Sequence, residues 1–381
     1  MAFVPRALAP ELLHAARAFP AVVLTGPRRS GKTTLLRTLF PEAEYHLLED
    51  PDLVARFRAD PRTFVDSLGR SAILDEIQHV PEILAYVRTV VDREPRRKGR
   101  FLLTGSQEAP LMRGVTESMA GRAAVLQLLP LSLAESPRVS LLRGGFPEVL
   151  ARPGAARLWF SSYLQTYLER DVRAITQIRD LSTFRRFLGL VASRTGQVLN
   201  RSDIAAPLGV SVPTVSQWLS ILEATTLLML IPPFYESFGK RLVKSPKLYL
   251  ADPGLACHLL GLDTLRALER SPFLGPVWEG FVASEIVKHQ VNAGKRRELY
   301  WFRDQQGLEV DFVVPEAATR LLLIEAKATR TPRPEDAEPI VRLGRAVGRR
   351  TVRGLVVHRG AESQPALRPG AEAVPLAELR L

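Results

Sequence analysis

The stretch that decides the fold is "AVVLTGPRRSGKTT", residues 21–34. Its first part, 21–25, is an apolar run of the kind that forms a strand buried on both faces. The remainder fits G-x-x-x-x-G-K-[ST], with Gly26, Gly31, Lys32 and Thr33 in the fixed places, and opens the helix-forming run "GKTTLLRTLF" (31–40). A loop so placed turns backbone N–H groups and a helix N-terminus toward one concavity, which favours phosphate oxygens. Lys32 then reaches the β- and γ-phosphates, and Thr33 offers a hydroxyl to Mg²⁺. The expected ATP contacts are Gly26, Pro27, Arg28, Arg29, Ser30, Gly31, Lys32, Thr33 and Thr34, with ATP and Mg²⁺ as cofactors.

Outward from this loop, apolar runs at 21–25, 45–48, 72–75, 101–104 and 123–128 alternate with helical periods near 31–40, 52–59, 81–92 and 107–119. That is the βαβ rhythm of a parallel sheet, whose first loop carries the phosphate site. "AILDEIQ" (72–78) closes a strand in an acidic pair: Asp75 is placed to hold the metal, and Glu76 to orient or deprotonate the attacking water. "FLLTGSQ" (101–107) ends beside the γ-phosphate position, so Thr104 or Ser106 can sense the phosphate. Phosphoryl transfer also calls for a cation on the transferred group. Arg122, just before the fifth strand, is the expected arginine finger, with Arg28, Arg29 and Arg113 as competitors.

The length of 381 residues allows two or three domains. One cysteine, Cys257, excludes an internal disulfide, and the six histidines show no zinc spacing. No apolar run is long enough to span a bilayer and the N-terminus lacks a signal-peptide pattern, so a cytoplasmic protein without membrane contact is expected. The net charge of +12 is spread along the chain, which suits a polyanion partner but implies only non-specific attraction.

From 131 to about 190 the pattern turns helical, with "RLWFSSYLQTYLERDV" (157–172) its clearest amphipathic stretch. "SDIAAPLGVSVPTVSQWLSILEATTLLMLI" (202–231) reads as helix, turn, helix and strand, the spacing of a helix-turn-helix. A basic run, "GKRLVKSPK" (239–247), stands where a wing would lie. The expected DNA contacts are Thr214, Gln217, Lys240, Arg241, Lys244 and Lys247; the second helix also offers Ser211, Ser216 and Trp218 but no arginine, so sequence-specific readout is not expected from it.

The last part reads as a helix (277–290), strands at 299–303, 309–314 and 321–326, a helical stretch at 335–347 and a strand at 353–358, with 329–339 and 360–370 as exposed loops. Asp311 lies on one strand, while Glu325 and Lys327, two apart on the next, share a face; Glu285 comes from the preceding helix. Such a group suits a metal-dependent hydrolase.

Two resemblances cover nearly the whole chain. "GPRRSGKTT", "LDEIQHVPE", "LLTGSQ" and "MAGRAAVLQLLPLSLAE", with "GGFPE", "YLERDV", "KRLVKSPKLYLADPGLA", "WEGFVASE", "EVDFVV" and "IEAK", resemble prokaryotic AAA+-type ATPases that carry a characteristic C-terminal module. The D-x₁₃-E-x-K arrangement resembles the PD-(D/E)XK nuclease core, a pattern also kept by inactive, DNA-holding versions. The resemblance implies an α/β protein with a P-loop AAA+ core (1–130), a helical lid (131–179), a winged helix (180–250) and a nuclease-like α/β domain (251–381). It further implies ATP hydrolysis and work as a homo-oligomer, with a hexameric ring as one form. The expected function is a DNA-binding ATPase that remodels or translocates on DNA; a nucleotide-switched scaffold or an ATP-gated defence nuclease are the alternatives.

Overall fold

The computed structural model describes residues 3–105, 119–168, 181–234, 245–348 and 350–381. Strands β1 (Ala21–Thr25), β2 (Glu44–Leu47), β3 (Ala72–Asp75), β4 (Phe101–Thr104) and β5 (Ala123–Gln127) form one sheet in the order β2-β3-β4-β1-β5. Every pairing in it is parallel. The sheet is covered on both faces, and β1 shows why its sequence is apolar throughout. Val22 and Leu24 pack toward helices Ala9–Ala18 and Lys32–Leu39, whereas Ala21 and Val23 pack toward helix Ile83–Arg93. The glycine-rich loop leaves the carboxyl end of this interior strand, where a sheet of this kind opens a binding crevice.

Residues drawn from 129 to 376 build a second, continuous core, and a smaller separate one lies on the other face of the C-terminal sheet. At the centre of the larger core lies helix Leu274–Asn292, buried on nearly every side, as a helix apolar around its circumference must be. Against it pack helix Pro253–Leu259 and the C-terminal strands, with helix Leu181–Ser193 in the same core. This core crosses the expected boundaries at 179/180 and 250/251.

Within it, β6 (Gln197–Val198), β7 (Leu228–Ile231) and β8 (Lys247–Leu250) form an antiparallel sheet in the order β6-β8-β7. Helices Arg201–Leu208 and Val212–Ala224 cross at 110°, within the range of helix-turn-helix pairs. Among the described residues no single helix is long and apolar enough to cross a membrane. Trp218 turns inward, its ring 5.4 Å from Phe184 and 5.1 Å from Phe187. It is a core residue and takes no part in a DNA-facing surface.

Strands β9 (Tyr300–Arg303), β10 (Glu309–Ala317), β11 (Arg320–Lys327), β12 (Thr351–His358), β13 (Gln364–Arg368) and β14 (Ala371–Pro375) make a mixed sheet in the order β13-β14-β12-β11-β10-β9. β13 occupies residues expected to be an exposed loop. It is an edge strand, and its proline and polar residues, tolerated there, mask the strand signal. "GGFPE" is explained by packing. Gly144 sits at φ +67°, and a Cβ there would lie 1.9 Å from Asp252 Oδ1, while the Gly145 N–H donates to Asp252 Oδ2 at 2.7 Å.

Candidate nucleotide site and a second carboxylate cluster

The loop after β1 begins at Gly26, where φ is +140° and a Cβ would stand 2.1 Å from the Leu128 carbonyl oxygen, so only glycine fits. Lys32 folds back under the loop, its Nζ donating to the carbonyls of Gly26 (3.1 Å) and Pro27 (3.0 Å). Thr33 Oγ1 donates to both oxygens of Asp75, at 3.1 and 2.9 Å. Tyr45 donates its hydroxyl to Asp75 Oδ2 at 2.8 Å; burial, then the hydrogen bond to this carboxylate, raises the phenol above its ordinary range. Thr104 Oγ1 donates to Asp75 Oδ1 and accepts the Glu76 N–H at 3.1 Å. The buried Asp75 carboxylate is thus held by three neutral hydroxyls.

Glu76 adopts φ +58°, a left-handed conformation rare for a non-glycine residue. Its carboxylate accepts from Gln78 Nε2. It lines a cavity of about 400 Å³ with Arg28, Arg29, Gly31, Lys32, Thr33, Thr34, Glu49, Pro147 and Glu148. Arg29 pairs with Glu148 at 3.1 Å, and Glu148 also accepts from Trp159 Nε1 at 2.6 Å. In the same loop Ser30 Oγ is buried with no hydrogen-bond partner among the described residues. A lysine, a hydroxyl and a carboxylate converging on a loop of backbone donors fit a nucleotide polyphosphate with a divalent cation.

Of the residues expected here, Arg28, Arg29, Gly31, Lys32, Thr33, Thr34 and Glu76 line the cavity, and Asp75 and Thr104 are hydrogen-bonded to Thr33 and to the Glu76 backbone. Ser106 and Arg113 lie outside the described residues. Arg122 stands at the start of β5, paired with Asp92, and does not line the cavity. Sequence reading missed Tyr45, Glu49 and Glu148. Tyr45 is foreshadowed by the aromatic in "EYHL", on the strand that pairs with β3. Glu148 belongs to "GGFPE", whose place beside the loop only the fold reveals.

In the C-terminal sheet, Asp311, Glu325 and Lys327 do converge. Asp311 Oδ2 accepts the Ala326 N–H at 2.9 Å, and Lys327 Nζ lies 2.7 Å from Glu325. Glu285, however, does not join them. It accepts the Leu133 N–H at 2.8 Å and pairs with Lys288 at 2.9 Å. The helix carboxylate that reaches the group is Glu279. Six residues separate the two, which places them about 120° apart around a helix.

Lys247 corrects a second expectation. Its ammonium is buried at 3% exposure, 2.9 Å from Glu279, 2.6 Å from Glu309 and 3.7 Å from Asp311, so it is not available to DNA. Tyr249 donates to Glu279 as well. Burial, then the charge of Asp311, pushes both Glu279 and Glu325 above the usual carboxylate range. Among the described residues no three His, Cys, Asp or Glu side chains are grouped to hold a metal ion. A lysine ammonium stands between Glu279, Glu309 and Asp311.

On helix Val212–Ala224, Ser211 caps the N-terminus, Thr214 is half-buried and Gln217 is exposed. Lys240, Arg241 and Lys244 lie outside the described residues.

Residues 18–136 match a family described as an AAA domain, and residues 135–266 and 274–379 match two domains of unknown function, DUF8612 and DUF4143. The uncharacterized proteins Mb2031c of Mycobacterium bovis and Rv2008c of Mycobacterium tuberculosis are each 34% identical, over 86% of this chain and 74% of theirs. The chain belongs to their family. Its first sheet is an AAA-type P-loop ATPase fold. Among solved structures, the Walker-type ATPase paby2304 of Pyrococcus abyssi is 18% identical, with a TM-score of 0.45 over 66% of this chain and 94% of that one. AMPPCP-bound DnaA from Aquifex aeolicus is 14% identical, with a TM-score of 0.26 over 57% of this chain and 85% of that one.

Proposed function

We propose that this member of the family is a Mg²⁺-dependent ATPase that binds DNA and couples hydrolysis to movement of its C-terminal module against it. The observation that carries the reading is the contact of Thr33 with Asp75 beside Lys32 and the open cavity. Lys32 would leave the Gly26 and Pro27 carbonyls for the β- and γ-phosphates. Thr33 and Asp75 would hold Mg²⁺, which would neutralise the phosphate charge there. Glu76 would take the proton of the attacking water as its oxygen bonds to the γ-phosphorus and the bond to the bridging oxygen breaks, releasing ADP and phosphate. Thr104, bonded to both Asp75 and the Glu76 backbone, would keep the acidic pair in register. Arg122, partly exposed and away from its own cavity, suits a finger offered to a neighbouring subunit of a homo-oligomer.

DNA as the partner is supported by the +12 charge, by the 110° helix pair, read as part of a winged helix, and by the exposed Gln217 and Ser220 with the half-buried Ser216 beside them. The test is ATP turnover with and without single-stranded, duplex and branched DNA at two salt concentrations. Several-fold stimulation that fades with salt is the expected result. A nucleotide switch without DNA motor activity is favoured by one observation: Lys247 ties β8 to the C-terminal sheet, so the module suits motion as a single block. Turnover indifferent to every DNA would select that reading.

A further inference from the structure

The N-terminal segment places a buried arginine against the phosphate loop. Arg6, at 7% exposure, donates from Nη1 to the Ser30 carbonyl (2.9 Å), from Nη2 to the Leu129 carbonyl (2.6 Å) and from Nε to Glu135 Oε1 (2.9 Å). Glu135 is fixed in turn by the Ala7 N–H at 2.8 Å and by the Ser132 N–H at 2.8 Å. Neither Arg6 nor Glu135 lines the nucleotide cavity. A buried ion pair adds little net stability compared with an apolar pair of similar volume, so anchoring the segment does not by itself call for an arginine.

We infer that Arg6 is a positioning residue of the nucleotide site, which holds the Ser30–Gly31 peptide so that the Gly31 N–H is presented to the polyphosphate. The inference rests on the nucleotide reading above. A peptide is planar and trans, so its C=O and N–H point in opposite directions. With the Ser30 carbonyl gripped by Arg6, the Gly31 N–H points away from the guanidinium, and Gly31 lines the cavity. A free loop would have to order this donor on binding, at a cost in conformational entropy. The planar fork also explains arginine over lysine, because one group spans two carbonyls on separate loops.

The same fork ties the phosphate loop to the rest of the chain. The segment that supplies the Leu129 carbonyl and Glu135 meets the C-terminal module on its other side, where Lys288 donates to the Leu131 carbonyl at 3.1 Å and Glu285 accepts from Leu133. Arg6 is therefore the side chain through which the phosphate loop and the C-terminal module hold one connecting segment.

The test measures ATP and ADP affinity, with melting temperature, for the full chain and for Arg6→Ala, Arg6→Lys and Leu12→Ala. Leu12, fully buried on helix Ala9–Ala18, loosens the same segment when truncated without touching Ser30. Arg6→Ala should weaken both nucleotides about tenfold, the loss of one hydrogen bond from a charged donor. Arg6→Lys should recover part of that loss, and added guanidinium ion should restore Arg6→Ala. Leu12→Ala should lower the melting temperature yet keep affinity within about twofold. Wild-type affinity in a folded Arg6→Ala protein would overturn the inference, as would a matching affinity loss in Leu12→Ala. If Arg6→Ala does not fold, Arg6→Lys decides: affinity equal to wild type overturns the role, and a several-fold loss supports it. Failure of the unmodified chain to bind any nucleotide would instead remove the ATPase reading itself.

Discussion

Asp75 and the carboxylates of the C-terminal sheet are held in opposite ways. Asp75 accepts hydrogen bonds from Thr33, Tyr45 and Thr104, all uncharged hydroxyls, beside an open cavity. Glu279, Glu309 and Asp311 surround the ammonium of Lys247 instead. Hydroxyls orient a carboxylate while leaving its charge, so Asp75 remains able to attract a cation. A lysine at the centre of three carboxylates already balances part of theirs and fills the space between them. Acidic residues at strand ends therefore do not identify a metal site on their own; what else is within reach decides.

The largest effects should come from the first site. Lys32→Ala is expected to abolish nucleotide binding, whereas Glu76→Gln should bind ATP with turnover reduced about 10²–10⁴-fold, as for loss of a general base. Equilibrium binding and single-turnover hydrolysis separate the two, and normal turnover by Glu76→Gln would remove that residue from the chemistry. At the second site the expected loss is of stability. Lys247→Met leaves Glu279 and Asp311 without this cation and should cost about 3–5 kcal/mol in denaturant unfolding, with ATP affinity retained. If this variant instead binds Mn²⁺ tightly at no cost in stability, the lysine was merely excluding a functional metal.

The smallest effect sharpens the contrast through pH. Glu279 and Glu325 have folded-state values raised by burial, so the stability their protonated forms supply is complete below the ordinary value of 4.5 and is lost as pH rises toward about 8. Unfolding curves for the full chain should show declining stability across that window, and Glu325→Gln should flatten the decline. An unchanged slope in Glu325→Gln would assign the titration elsewhere.

Much of the candidate nucleotide site was legible in sequence because its parts are local. The glycine loop joins one strand to one helix, and Asp75 and Glu76 end another strand, so motif and secondary structure together place them. The C-terminal cluster is assembled from a helix, β8, β10 and β11, and its membership turned on helix phase: Glu279 and Glu285 are equally plausible by composition, yet face different neighbours. Likewise Trp218 and Lys247 each sit in a segment that reads as DNA-facing, and each is buried by partners distant in sequence.

The sequence by itself determined the parallel sheet, the phosphate loop with its acidic pair, and the helix-turn-helix spacing, because periodicity and turn chemistry act over a few residues. Only the tertiary structure decided that one core draws on residues from 129 to 376, that Lys247 stands among the carboxylates of the second cluster, and that Arg6 reaches the phosphate loop. Those outcomes depend on which side chains meet after long loops close, and burial makes each buried charge seek a partner wherever the chain supplies one.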